Sequence, residues 1–193
     1  MPPTLIVVTG APGSGKSTVA VPLARRLGVP LIAKDDIKEV LWDHIGPGDR
    51  DRFLAYGRAS YPLMLLVSRL LLDAGQSVMI EANFAPELAA DELGRLQADV
   101  PFHFVQILCL ADAETCLARY SERADTDRRH PMHRVGGEET VARLERGLRD
   151  GLWERPIPLH GELFTVNTNT PVDVEALADD VGGRTQRRGQ AEA

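Results

Sequence analysis

The apolar run Leu5 to Val8 passes, through Thr9, into Gly10-Ala11-Pro12-Gly13-Ser14-Gly15-Lys16-Ser17-Thr18. Nothing else in the chain restricts the fold as much. The glycines allow a main chain that bends where a Cβ would obstruct it, and helical periodicity follows until Gly28 supplies a stop signal. A strand, a bend and a helix in that order meet both the pattern G-x-x-x-x-G-K-[ST] and the context that gives the pattern physical meaning. Amides from Gly13 to Ser17 then converge on phosphate oxygens, and the helix beginning near Gly15 directs the positive end of its dipole at them. Lys16 is expected to reach the β and γ phosphates, and the Ser17 hydroxyl to ligate Mg²⁺. Gly10, Ala11, Pro12 and Ser14 complete the loop, and Thr18 is a helix residue that touches the α phosphate at most. The open question is where the terminal phosphate goes: to water, a protein, a nucleic acid or a small hydroxyl compound.

Chain-level properties narrow that choice. With 193 residues, 44% of them hydrophobic, the chain suits one compact domain, because single cores become hard to extend only beyond roughly 250 residues. That domain is expected over residues 1–181, with a lid at about 124–137 and a flexible tail at 182–193. The longest apolar stretch, around Leu63 to Leu72, is interrupted by Ser68 and Arg69 and falls short of the roughly 20 residues that span a bilayer. The amino terminus shows no positive segment and no small-residue cleavage site. A soluble cytoplasmic protein with no membrane partner is the expectation. Cys109 and Cys116 are too few and wrongly spaced for a disulfide framework or a zinc site, and read as buried thiols. The net charge of −6 argues against a nucleic acid partner held by a general positive field. Of the 22 basic residues only Lys16, Lys34 and Lys38 are lysines.

Apolar strands alternating with amphipathic segments give an α/β fold with a largely parallel sheet. Strands are expected at Leu5 to Thr9, Pro30 to Ala33, Ser77 to Ala82, Phe102 to Leu108 and Leu163 to Asn167. Helices are expected at Gly15 to Leu27, with a kink at Pro22, and at Asp36 to His44. Asp49 to Ala74 should be helical in two pieces divided near Pro62. Pro86 to Gln97 and Asp112 to Arg123 follow, before an irregular stretch from Ala124 to Gly137.

The third strand ends in Glu81 and Asn83. A carboxylate on the strand beside a phosphate loop can hold the metal, so Glu81 is a metal candidate or else a structural carboxylate orienting the loop. Asn83 is placed to face the acceptor. After the second strand, Lys34-Asp35-Asp36-Ile37-Lys38 brings two carboxylates to the strand's carboxyl end, where ligands bind in open α/β sheets. Asp35 is assigned as the general base for a substrate hydroxyl and Asp36 as first-turn helix charge; the reverse, or a purely structural pair, is the alternative. Lys38, one turn beyond, touches substrate or neutralises the carboxylate, or else is a solvated surface lysine. Arg119 and Arg123 share one face at the end of a helix, a solvated face being the alternative reading of that pair, and Arg128 and Arg129 follow in the irregular stretch. Cations so placed can arrive on the transferring phosphoryl group when a lid closes, with Arg123 and Arg128 or Arg129 in that role and Arg119 stacking on adenine. His130 and His133 lack further ligands and are read as ordering the loop rather than binding a metal.

Taken together, GAPGSGKS, KDDIK, VMIEANF, the R-x-x-x-R lid start and the late VNT resemble the phosphate-loop small-molecule kinases over nearly the whole ordered chain. Within that group the likeness is to the chloramphenicol phosphotransferase, gluconate kinase and zeta toxin type, often described only as AAA-family ATPases. The resemblance implies a P-loop NTPase three-layer α/β/α sandwich, a five-stranded parallel sheet of order 2-3-1-4-5, ATP and Mg²⁺ as cofactors, and transfer of the γ phosphate to an acceptor hydroxyl. By position it assigns Asn167 and Thr168 to the neighbourhood of the adenine. Glu81 where several relatives carry aspartate, Pro22, and the RRHPMH segment depart from the pattern. A nucleic acid 5′-hydroxyl kinase and a nucleotide-dependent switch are the competing readings; the acidic balance disfavours the first and the base-like Asp35 the second.

Overall fold

The structure is a computed structural model that describes residues 2–124, 130–134 and 137–191. Five parallel strands, β1 (Thr4–Gly10), β2 (Leu31–Ala33), β3 (Val78–Glu81), β4 (His103–Leu110) and β5 (Glu162–Asn167), form one sheet in the order β2-β3-β1-β4-β5. This is the expected P-loop NTPase topology. The central strand β1 is buried along its whole length, and its alternation sends Leu5 and Val7 to one face and Ile6 and Val8 to the other.

Helices cover both faces. On one, α3 (Arg50–Asp73) and α4 (Pro86–Asp99) bring Met64, Leu72, Leu93 and Leu96 against Leu5, Val7 and Ile80. On the other, α1 (Lys16–Leu27) and α7 (Val174–Ala191) bring Val19, Leu23, Leu177 and Val181 against Ile6, Val8 and Ile107. A third cluster of Ala11, Cys116, Leu144, Leu148 and Trp153 packs α5 (Ala113–Ala124) and α6 (Gly137–Arg149) beside the glycine loop. Both cysteines are free and buried, as read from their number and spacing. Among the described residues no helix is long and apolar enough to cross a membrane.

Several local expectations are corrected. Helix α3 runs unbroken through Pro62, because its buried residues Tyr56, Ser60, Met64, Ser68 and Leu72 recur every fourth position and one continuous stripe packs on the sheet. Pro62 itself points to solvent, where losing one amide bond is tolerated. Helix α1 runs from Lys16 to Leu27 with Pro22 inside it. Helix α2 (Lys34–Ile45) begins two residues before the expected Asp36. Helix α7 continues into the segment read as a tail, and α6 was not anticipated at all.

Candidate active site

The loop joining β1 to α1 lies at the carboxyl end of the sheet, at the point from which β3 and β4 depart on opposite sides. That is the position where open α/β sheets bind ligands. Gly13 has φ +85°, and a Cβ there would stand 2.1 Å from the Cys116 carbonyl oxygen, so α5 passes directly against the bare main chain. The loop also folds on itself, with the Ser14 amide donating to the Ala11 carbonyl at 3.0 Å.

Thr168, expected near the adenine, packs against the glycine loop. It is buried, and its hydroxyl, with a single proton, lies 2.7 Å from the Ser14 carbonyl and 3.0 Å from that of Leu110. The end of β5 thereby clamps the loop, and Arg119 adds to the clamp by donating from Nη2 to the Thr168 carbonyl at 2.8 Å. Asn167 accepts the Asn169 amide at 2.9 Å and stays exposed. Replacing Thr168 by the isosteric Val removes the hydroxyl without changing shape. Leaving a buried carbonyl unsatisfied costs about 1 to 3 kcal/mol, so thermal melting of Thr168→Val is expected about 2 to 10 °C below the parent, with weakened nucleotide binding by calorimetry.

Lys16 opens α1 and is only 8% exposed. Its Nζ donates to the Ala11 carbonyl at 2.8 Å, curling the chain across the loop. Burial lowers its pKa, and the nearby negative charges of Glu81 and Asp35 oppose that shift. Ser17 Oγ donates to Glu81 Oε2 at 2.9 Å, so a hydroxyl and a carboxylate from adjoining elements already meet at the lip of the loop. Burial raises the Glu81 pKa, opposed by Lys16 and by the Ser17 hydrogen bond. This pair fits Mg²⁺, which takes hard oxygen ligands and is commonly bound by one or two carboxylates with phosphate oxygens. Among the described residues no group of three or more His, Cys, Asp or Glu is placed to hold a metal ion.

The two aspartates after β2 lie in the first turn of α2 and neither caps it through a side chain. They differ in their surroundings. Asp35 is close enough to influence Lys16, Lys34, Lys38 and Glu81, whereas the Asp36 pKa is raised by burial and then by Glu39 and Asp35. Asn83 presents its carbonyl to the Tyr61 hydroxyl at 3.1 Å, a contact that ties α3 to the end of β3.

At the end of α5, Arg123 Nε donates to the Arg119 carbonyl at 3.0 Å, and its charge is felt at Lys16. Arg128 and Arg129 lie outside the described residues. His130 and His133 order the segment, with partners that sequence reasoning missed: His130 Nε2 lies 3.0 Å from Asp43 Oδ1 and His133 Nε2 lies 2.7 Å from Glu39 Oε1. Both carboxylates belong to α2, so the 3-10 turn Pro131–Arg134 sits on the helix that carries Asp35, with Met132 fully buried.

Residues 5–146 match the AAA_33 family, described as an AAA domain. The chain belongs to that family. A candidate kinase from Chloroflexus aurantiacus J-10-fl, of known crystal structure, is 32% identical to this AAA_33 protein; it superimposes with a TM-score of 0.86 over 95% of this chain and 98% of that one. An uncharacterized protein of Mycobacterium tuberculosis (strain H37Rv) is 34% identical over 129 residues, 62% of this chain and 26% of the relative. The chain thus matches about a quarter of that longer protein. A shikimate kinase of Paracidovorax citrulli is 38% identical over 89 residues, 46% of this chain and 43% of that enzyme. The likeness to phosphate-loop kinases read from the motifs is therefore met.

Proposed function

We propose that this AAA_33 protein is an ATP-dependent phosphotransferase that moves the γ phosphate to a hydroxyl of a small molecule. The observation that carries the reading is Asp35. Its carboxylate is exposed, takes part in no side-chain hydrogen bond or ion pair among the described residues, and stands within electrostatic reach of Lys16 and Glu81. A loop that only binds or slowly hydrolyses a nucleotide has no need of an unengaged base beside the terminal phosphate. In this scheme the loop amides and Lys16 grip the phosphates, Ser17 and Glu81 hold Mg²⁺, and Asp35 accepts the proton of the attacking hydroxyl. Arg119 and Arg123 stand at the lid side of the transferred group. Bound Mg²⁺ supplies neutralisation of charge on the phosphate oxygens.

The deciding experiment incubates the protein with Mg·ATP and a panel of sugars, hydroxy acids, nucleosides and antibiotics, and detects an added phosphate by mass. ATP consumption that no added compound accelerates would remove the transferase reading. For a compound that is phosphorylated, Asp35→Asn is expected to lower turnover by about 10² to 10⁴ while leaving the affinity for Mg·ATP within a fewfold. An Asp35→Asn protein with full turnover would end the base assignment.

A further inference from the structure

All three lysines of the chain, Lys16, Lys34 and Lys38, lie at this one site; the other basic residues are arginines. Lys16 belongs to the phosphate loop. Lys34 and Lys38 project from successive turns of α2 onto α3, where the aromatic residues are spaced to receive them. Lys34 Nζ sits 4.6 Å from the centre of the Tyr61 ring, and Lys38 Nζ sits 3.2 Å from the centre of the Phe53 ring. The Lys38 stem runs past Gly57, where an added Cβ would stand 3.8 Å from its Cε. Lys38 is only 6% exposed.

No carboxylate forms an ion pair with Lys34 or Lys38 among the described residues. The charged groups within range come from each packed element: Asp35 on α2, Glu81 on β3, Lys16 on α1 and Arg143 on α6. Among the described residues four cations therefore face two carboxylates, in a chain whose net charge is −6. Ring faces restore only part of what an ammonium loses on leaving water, and burial lowers the pKa of both lysines, that of Lys38 to about 8. A bound nucleotide would engage Lys16. Lys38 stands a further helical turn, about 6 Å of rise, along α2 from Lys34 and away from the loop, so its positive charge is left without an ion-pair partner among the described residues.

From this we infer that the acceptor is itself an anion, a hydroxyl compound bearing a carboxylate, phosphate or sulfate group that Lys38 and Lys34 hold while Asp35 faces the hydroxyl. Arg143, exposed on α6, closes the cationic side. The inference rests on the transferase reading for the hydroxyl, and on the two lysine–aromatic pairs for the anion.

Three lysines make the test direct. Protein labelled with ¹³C-lysine gives three Cε resonances, assigned with Lys34→Met and Lys38→Met, and is loaded with Mg·AMPPNP so that the triphosphate site is filled. Sulfate, inorganic phosphate, D-glycerate and, as the neutral control, glycerol are then titrated. The expected result is a saturable rise of the Lys38 pKa by about one unit or more with at least one of the three anions, and none with glycerol. Lys34 and Lys38 resonances unmoved by all three anions would overturn the inference. In turnover, hydroxy acids are expected to exceed their neutral alcohols or amides at least about tenfold in kcat/KM. Lys38→Met should raise KM for the acid about tenfold with less effect on kcat. Neutral members phosphorylated as well as acids would overturn the anionic acceptor and leave the transferase reading standing. Anion binding without transfer to any member would do the reverse.

Discussion

Lys16→Met is expected to reduce phosphoryl transfer by about 10³-fold, the scale on which removing a preorganised donor from developing charge acts, without lowering the melting temperature appreciably. The two halves of that result have separate causes. The ammonium is the one side-chain cation held within the loop, so a nucleotide's γ oxygens lose their nearest compensating charge when it goes. In the unliganded fold the same ammonium is a burden, since burial is the largest influence on its pKa and acts to lower it. A lysine with a folded pKa below its unfolded value binds fewer protons in the native state, so stability rises with pH between the lowered value and the ordinary 10.5. Below the lowered value the penalty is fully present. Methionine removes it, at the expense of the Ala11 hydrogen bond and of the attraction to Glu81 and Asp35. Melting in Lys16→Met should therefore stay within a few degrees of the parent or exceed it, and should lose the parent's rise in stability at alkaline pH. A variant that loses transfer together with a large part of its stability would show instead that Lys16 is a structural residue of the loop. Melting curves from pH 7 to pH 10, beside turnover with Mg·ATP, separate the two.

The loop was legible because its information is local: strand, glycines, lysine and helix lie within one short stretch, and each is recognised by its own backbone or charge requirement. Strand positions were similarly readable, whereas the order of the strands came from the family likeness, since nothing in the spacing of five apolar runs says which neighbours which. Tertiary packing overruled local rules in α3, where a buried stripe at every fourth residue kept the helix whole through Pro62. Helix α6 carried a signal that went unread, with Val141, Leu144 and Leu148 at helical spacing, two glutamates in the first turn and arginines in the last. The acceptor side was the least legible. Asp35 and Lys38 stood out as chemistry, but Phe53 and Tyr61 acquire meaning only once α3 packs against α2 and presents its rings to the lysines. The same holds for the His130–Asp43 and His133–Glu39 pairs, whose members lie 87 and 94 positions apart.

A larger loss of both stability and binding is expected from Gly13→Ala. At φ +85° an alanine is strained whatever space surrounds it, at about 1 to 3 kcal/mol. Here there is also no space: the new methyl carbon would lie 2.1 Å from the Cys116 oxygen, 2.8 Å from its carbonyl carbon and 2.9 Å from its Cα, all main-chain atoms that cannot swing aside. Relief requires α5 to withdraw from the loop as a body, which disturbs the small core of Ala11, Cys116, Leu144, Leu148 and Trp153, with overpacking adding about 1 to 3 kcal/mol more. The melting temperature should fall by about 10 °C or more. Because α5 carries Arg119 and Arg123, the same displacement shifts both arginines relative to the phosphates, and Mg·ATP affinity should drop at least about 100-fold. Gly15→Ala separates the contributions. Its φ of +77° imposes comparable backbone strain, yet the nearest atom to its Cβ is the Thr168 Cβ at an ordinary 3.4 Å. If close approach of α5 is what Gly13 provides, Gly13→Ala melts several degrees below Gly15→Ala; equal melting of the two would mean that backbone conformation alone accounts for the glycine at that position.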